Sequence, residues 1–486
     1  MIFNSIHFLI FFVVVFSLYY FVLKEKTKLQ NILLLVASYV FYAWANWKIL
    51  PLLVITTVVF YGLGVAIFEA KTDKRKSLFT ALGVVFGVGT LLYFKYFNFF
   101  ISSFKDLFEF VGLQTNLHTF NILVPIGISF YTFRLLSYNI DIRRCKIEPT
   151  RNIVVFATYV AFFPCILAGP IDRPSTLIPQ LQSKRIFDYS LAVDGMKQIL
   201  WGLFKKVVIA DNCAVFVNQV FGGYLQAQPS SILLLTAVFF SFQLYADFSG
   251  YSDMAIGVAK LLGFRVTKNF DYPFFAQNIA EFWRKWHISL TSWLTDYIFM
   301  PLNLTWRNWG KWGMILAIII NFVICGLWHG DNWTFVFLGL YHGLLYIPLI
   351  FSGAIFKENK IETYKWGFPK PRILFRILLT FSLVTISFVF FRADNIEQAF
   401  VYIKNVFVWR SLHFFPMRYL ADIAPVVLLI LFFICIEWIG RTQEYAIAGI
   451  GKKRNRLLRW TFYSFLIFLI GMYAFVGNQQ FIYFQF

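Results

Sequence analysis

The recurrence of long apolar stretches constrains this chain more than any other feature. Windows near 4–23, 29–47, 50–69, 77–97, 121–140, 197–224, 231–249, 313–328, 333–352, 372–391, 421–440 and 460–478 are strongly apolar. Each is close to the length of roughly 17 to 25 residues that crosses a hydrocarbon core about 30 Å thick. In lipid the backbone must satisfy its own hydrogen bonds, and these windows are too long and too uniformly apolar for barrel strands. The expected fold is therefore an all-α polytopic membrane protein of about 11 to 12 transmembrane helices. A further apolar stretch, 152–168, contains Pro164 and is flanked by charged linkers. Proline removes a helix donor, so this stretch is predicted to be re-entrant or buried. No basic residue precedes the first window and no small-residue cleavage site follows it, which predicts a retained span rather than a signal peptide.

Composition agrees: 59% of the residues are hydrophobic and 14% charged, against roughly 25% charged in soluble chains. The formal net charge is +20, from 44 Lys plus Arg against 24 Asp plus Glu. With the N-terminus outside, the outer loops hold only six of those 44 basic residues, and most of the rest fall in loops assigned to the cytoplasm. The basic charge is thus a mark of topology and gives no reason to expect nucleic acid. Such a cytoplasmic face suits anionic lipid, coenzyme A phosphates or an acidic carrier protein. Five cysteines without CxxC spacing read as small core residues, with no disulfide framework and no metal site expected. The 62 Phe read as lipid-facing and interhelical packing.

Between the seventh and eighth windows lie about 60 residues too apolar for an ordinary loop. Ile279, Phe282, Trp283, Trp286 and Leu290 recur at helical spacing, with Glu281, Arg284 and Lys285 opposite, predicting one amphipathic helix at the membrane interface. Asp247 and Asp253 flank Ser249 and Gly250, read as a turn at the inner end of the seventh span. Carboxylates near membrane depth are functional candidates by default, the alternative being helix caps or partners of a neighbouring Arg such as Arg265. His287 follows Arg284 and Lys285, whose charges favour a neutral imidazole; the alternative is an interfacial residue.

His329 ends an uncharged run, Met314 to Trp328, and lies 18 residues beyond Lys311. At 1.5 Å per residue that is about 27 Å of helix, which carries His329 toward the outer side. Gly330, Asp331 and Asn332 follow as a turn, and His287 lies toward the inner side. One histidine is thus approachable from each face. Moving an acyl group from a thioester to a hydroxyl needs a base whose pKa lies near working pH, and histidine meets that condition unaided. A buried histidine bonded to a carbonyl, or a pH-sensitive gate, remains the alternative for His329. His342, in the next span, reads as packing or hydrogen bonding, and His7, His118 and His413 have weaker claims.

The segments GPIDRP at 169–174, YADFSGYSDMAIG at 245–257, NFDYPFFAQNIAEFWRKWHISLTSWLTDYIFMPL at 269–302 and LWHGDNWTFVFLGLYHG at 327–343 resemble membrane-bound O-acyltransferases, with FFRADN at 390–395 fitting the C-terminal part. The likeness is to the AlgI-like branch of polysaccharide O-acetylation proteins, related to the DltB branch that transfers D-alanine from an acidic carrier protein. It implies spans, re-entrant and amphipathic helices around a central cavity, in one integral membrane domain, 1–486. Residues 1–120 would hold N-terminal spans, 121–350 the catalytic core and 351–486 the C-terminal spans. It places the family's near-invariant histidine on His329 and its second signature histidine on His287. Asp247, Trp328, Asp331, Asn332 and Arg392 are expected to support the site or its cavity.

The resemblance also implies location in a bacterial cytoplasmic (inner) membrane and no bound cofactor. Acetyl-CoA would be the acyl donor on the cytoplasmic side. The acetyl group would pass outward to a periplasmic acetyltransferase partner or to the polysaccharide itself. Two alternatives stay open: D-alanyl transfer from a carrier protein, and a transporter or flippase without covalent chemistry, since broken spans and intramembrane charges also mark transport sites.

Overall fold

The computed structural model describes residues 1–115, 118–223, 225, 228–357, 360–365, 367–408, 420–450, 455–474 and 481–482. Among them there is no strand, only one isolated bridge between Thr363 and Pro369. The helices are α1 Ile6–Ser17, α2 Thr27–Ala43, α3 Leu50–Glu69, α4 Asp73–Leu91, α5 Phe97–Phe110, α6 Ile128–Arg143, α7 Ile153–Ala161, α8 Pro174–Gln182, α9 Tyr189–Leu203, α10 Asp211–Phe221 and α11 Ser230–Leu261. They continue with α12 Ile279–Lys285, α13 Ile288–Leu294, α14 Met300–Thr305, α15 Lys311–His329, α16 Trp333–Leu345, α17 Ile347–Phe351, α18 Pro371–Arg392, α19 Ile396–Val406, α20 Leu420–Gly440 and α21 Arg456–Tyr473. Every one of the twelve apolar windows contains a helix. Seven helical runs among the described residues are long and apolar enough to cross a membrane: Trp47–Glu69, Asp73–Phe110, Ser230–Leu261, Lys311–His329, Trp333–Phe351, Pro371–Arg392 and Ile423–Gly440. The chain is a multi-pass membrane protein.

The chain divides into two compact units, 1–196 with 255–267, and 197–254 with 268–486. In the first, α3, α4, α6 and α7 pack on one another. The proline-bearing stretch 152–168 resolves here into α7, which stops at Ala161, and a fully buried turn through Pro164. A buried turn leaves carbonyls without helical partners. Arg134 of α6, itself fully buried, supplies them: its guanidinium donates to the carbonyls of Val160 (3.2 Å), Cys165 (3.1 Å) and Pro170 (3.0 Å). Bonds to a charged donor are worth about 1.5–3 kcal/mol each. A single arginine therefore makes non-helical backbone tolerable at this depth.

In the second unit the predicted turn at Ser249 and Gly250 does not exist. Helix α11 runs unbroken through both residues to Leu261. Gly250 serves a close crossing instead: a Cβ on it would lie 2.8 Å from the carbonyl oxygen of Gly202, and one on Gly202 would lie 2.6 Å from that of Gly250. Turn propensity and close backbone approach use the same residue, and packing decided here. After Gly202 the helical run α9 to α10 passes through a π-helical segment, Phe204–Ala210. Small residues also join α15 to α16, where a Cβ on Gly326 or Gly339 would overlap the carbonyl of Phe335 or Phe322.

The amphipathic helix expected over 279–290 is also corrected. It is two short helices, α12 and α13, broken at Trp286 and His287. Glu281, assigned to the polar face, is buried and accepts from the backbone N–H of Gln277 at 3.0 Å. The apolar spacing does not betray the break, because Ile279, Phe282, Trp283, Trp286 and Leu290 are buried on both sides of it. Helix α19 lies where no element was expected.

Candidate active site

His329 is the last residue of α15, and the chain turns at once through Gly330 into α16. Both Trp328 and His329 are 5% exposed. Their rings stand 4.9 Å apart, nearly perpendicular, and Phe391 of α18 closes on His329 at 5.4 Å.

His287 occupies the break between α12 and α13 with φ +46° and ψ +53°, a left-handed conformation that is uncommon for any residue with a side chain. Such strain persists only where the surroundings enforce it. Two constraints do so. The His287 carbonyl accepts from the backbone N–H of Leu290 and of Thr291, both at 3.0 Å, which starts α13. The neighbouring backbone is tied to Asn269, whose carbonyl accepts from the N–H of Ile288 at 2.8 Å.

The His287 ring is fully buried. Phe248 meets it edge-on at 4.7 Å, Trp328 lies at 5.4 Å and Phe270 at 6.4 Å. Its Nδ1 lies 3.0 Å from Oδ1 of Asn269. Burial, and then the proximity of His329, push the pKa of His287 well below the ordinary histidine range. The imidazole is therefore neutral at physiological pH. Sequence reasoning attributes this neutrality to Arg284 and Lys285; the causes are desolvation and the second histidine. One tryptophan thus lies against both histidines, and His329 acts on the charge of His287.

Residues 40–366 match the model of the MBOAT, membrane-bound O-acyltransferase family. The chain belongs to this family. It is 38% identical over 407 residues to a Pseudomonas aeruginosa protein named Probable alginate O-acetylase AlgI, covering 82% of this chain and 73% of the relative. It is 34% identical over 444 residues to a Helicobacter pylori Peptidoglycan O-acetyltransferase, covering 84% and 80%. A Streptococcus thermophilus Teichoic acid D-alanyltransferase is 31% identical over 300 residues, covering 56% and 69%. The enzyme is an O-acyltransferase. Its family match contains His287, His329 and Asp247 and ends before Arg392.

The other predicted residues of this acyltransferase lie in different surroundings. Asn332 caps α16, its Oδ1 accepting from the N–H of Thr334 at 3.0 Å while its Nδ2 donates to the carbonyl of Asp394 at 2.8 Å. Asp331 is exposed. Arg392 is half-buried, its guanidinium 4.9 Å over the Phe221 ring and 3.3 Å from Oδ1 of Asn218. His342 is a packed, hydrogen-bonded residue. The Trp283 indole N–H donates to its Nδ1 at 3.2 Å, so its Nε2 carries the hydrogen toward Ser387 Oγ at 3.0 Å. His413 lies outside the described residues.

Asp247 and Asp253 find lysines, not Arg265. Lys206 bridges Asp247 at 2.8 Å and Asp211 at 2.9 Å, and Oδ2 of Asp247 also accepts from the N–H of Ile482 at 2.8 Å. Lys205 pairs with Asp253 and donates to Ser249 Oγ at 2.9 Å. Lys205, Lys206, Asp211 and Asp247 are buried in the acyltransferase, and Asp253 is partly so. Sequence reasoning misses Lys205 and Lys206, although two adjacent lysines inside an apolar window are as costly as the two carboxylates. It also misses Asn269, for which only membership of the signature segment gives any signal.

Proposed function

We propose that this O-acyltransferase moves an acetyl group from a cytoplasmic thioester, acetyl-CoA, toward O-acetylation of an extracytoplasmic polysaccharide, directly or through a periplasmic acetyltransferase partner. The observation that carries the reading is the pair His287 and His329, buried against one indole inside the signature segments. The relatives named for alginate and peptidoglycan O-acetylation support the acetyl group and the glycan.

In the transfer, the acceptor hydroxyl oxygen bonds to the acyl carbon and the C–S bond breaks. His329 takes the hydroxyl proton as general base and returns it to the departing thiolate. His287 stays neutral beside the transient imidazolium, because two charged rings so close would repel. Trp328 is assigned to hold both rings in register, and Asp247 and Arg392 to support the surrounding helices. Asp331 and Asn332 are assigned to the outer mouth. A cleft of about 330 Å³ is lined by Arg284 of α12, Ile288, Thr291 and Ser292 of α13 and Cys325 of α15, with neither histidine in its wall. We assign it to the incoming thioester. The enzyme is placed in a bacterial cytoplasmic membrane with its N-terminus outside, as the distribution of Lys and Arg favours.

D-alanyl transfer from a carrier protein is the second reading, favoured by the likeness to the teichoic acid D-alanyltransferase. Purified protein incubated with acetyl-CoA tests both. Release of free CoA thiol with acetyl transfer supports the proposal. Transfer only from a loaded carrier protein favours the second reading. Substrate movement without thioester cleavage would identify a transporter and overturn both.

A further inference from the structure

Asn269 is fully buried and makes an unusual set of contacts for a single amide. Its Oδ1 accepts from Ser289 Oγ at 2.9 Å and from the Ser289 backbone N–H at 3.3 Å, and it faces His287 Nδ1 at 3.0 Å. Its Nδ2 donates to Ser252 Oγ of α11 at 3.1 Å. A backbone N–H can only donate, so the amide atom that meets Ser289 must be the oxygen, and the flipped amide is excluded. An oxygen facing Nδ1 requires that Nδ1 carry the hydrogen. In a neutral imidazole the other nitrogen, Nε2, then holds the lone pair.

We propose that Asn269 is a positioning residue that selects the Nδ1–H tautomer of His287, so that Nε2 is the nitrogen able to accept a hydrogen bond during acyl transfer. The inference rests on His287 taking part in the reaction as described above. Ser252 and Ser289 hold the amide, and the left-handed backbone at His287 sets the ring over it. The same requirement explains why one buried Asn serves better here than Asp: a carboxylate would favour the charged imidazolium, and the pair of histidines needs one neutral member. Phe248 of α11 and Asn269 and Phe270 of the segment before α12, all uncharged side chains, pack against His287. From α15 come Trp328 and the titratable His329, the group whose charge acts on it.

The test uses the full chain, labelled with ¹⁵N-histidine in lipid nanodiscs, with the His287 signal assigned by its loss in His287→Gln. Nitrogen shifts report the tautomer without reference to activity. The wild-type protein should show His287 protonated at Nδ1. Asn269→Leu should lose that preference and reduce acetyl transfer at least tenfold, toward the ~10⁴-fold loss seen when an active-site histidine takes the wrong tautomer. Asn269→Asp, which keeps the acceptor, should retain the tautomer and most activity at high pH, while the acid limb of its pH–rate profile moves upward. A wild-type ring protonated at Nε2, or an Asn269→Leu protein with unchanged tautomer and rate, overturns the proposal. An acid limb unmoved in Asn269→Asp does the same. If His287→Gln transfers acetyl at the wild-type rate, the reading beneath the proposal fails and takes the proposal with it. If His287→Gln is inactive while Asn269→Leu is not, only the proposal fails.

Discussion

The ring of His287 stands 5.4 Å from the indole of Trp328, and the same indole lies 4.9 Å from His329. A single side chain therefore lies against both imidazoles. Trp328→Ala should cost about 3–5 kcal/mol of stability through the cavity it leaves. It should also lower acyl transfer more than tenfold even where the protein is folded, since displacements near 1 Å cost about 10²-fold. Trp328→Phe, which keeps a wall of smaller area, should lose less of both. Rates measured below the unfolding temperature of each variant check this. Equal rates for wild type and Trp328→Ala would show that the indole positions neither ring.

Lys206 holds two carboxylates at once in the interior. Lys206→Met should lower the unfolding temperature in detergent, with a loss of about 3–5 kcal/mol, because Asp211 and Asp247 are left as uncompensated buried charges. Replacing both carboxylates by Asn in the same chain should recover most of that loss. Lys105→Met, which removes one member of the exposed Lys105 and Glu109 pair, should change little.

Stability should also depend on pH through His287. In the unfolded chain this histidine titrates near 6.5, as free imidazole does. In the folded protein burial and His329 push its pKa well below that value. Above roughly pH 6.5 both states are neutral and the full stability is present. As pH falls below it, the unfolded chain binds a proton that the folded protein refuses, so stability declines, with a slope approaching 1.4 kcal/mol per unit for this one group. Unfolding temperatures across this range should therefore drop less steeply for His287→Gln than for wild type. Identical slopes would mean that His287 is not held neutral.

Much of the fold and part of the candidate site are legible in the sequence. All twelve apolar windows contain helices, because length and hydropathy in lipid leave few other choices, and His329 stands out because an uncharged run ends on it. What stays hidden depends on contacts between distant segments. Gly250 reads as a turn until Gly202 is seen against it. Periodicity in the segment 279–290 cannot reveal the break at His287, since its apolar residues are buried both before and after it. Asp247 and Asp253 stand out as charges, but nothing in the order of residues pairs them with Lys205 and Lys206, which lie more than 40 positions earlier in an apolar window. Asn269 lies 18 residues before the histidine it contacts, and backbone bonds from Ile288 to Asn269 and from Asp271 to Lys285 bring the two segments together.

The most direct test of acyl transfer centred on the paired histidines is the ester-linked acetate on surface polysaccharide. It would be measured by mass analysis in cells making wild-type or His329→Ala protein at equal membrane abundance. Loss of the acetate in His329→Ala cells, with the variant still folded in the membrane, is the predicted result. An unchanged acetate content would contradict the account.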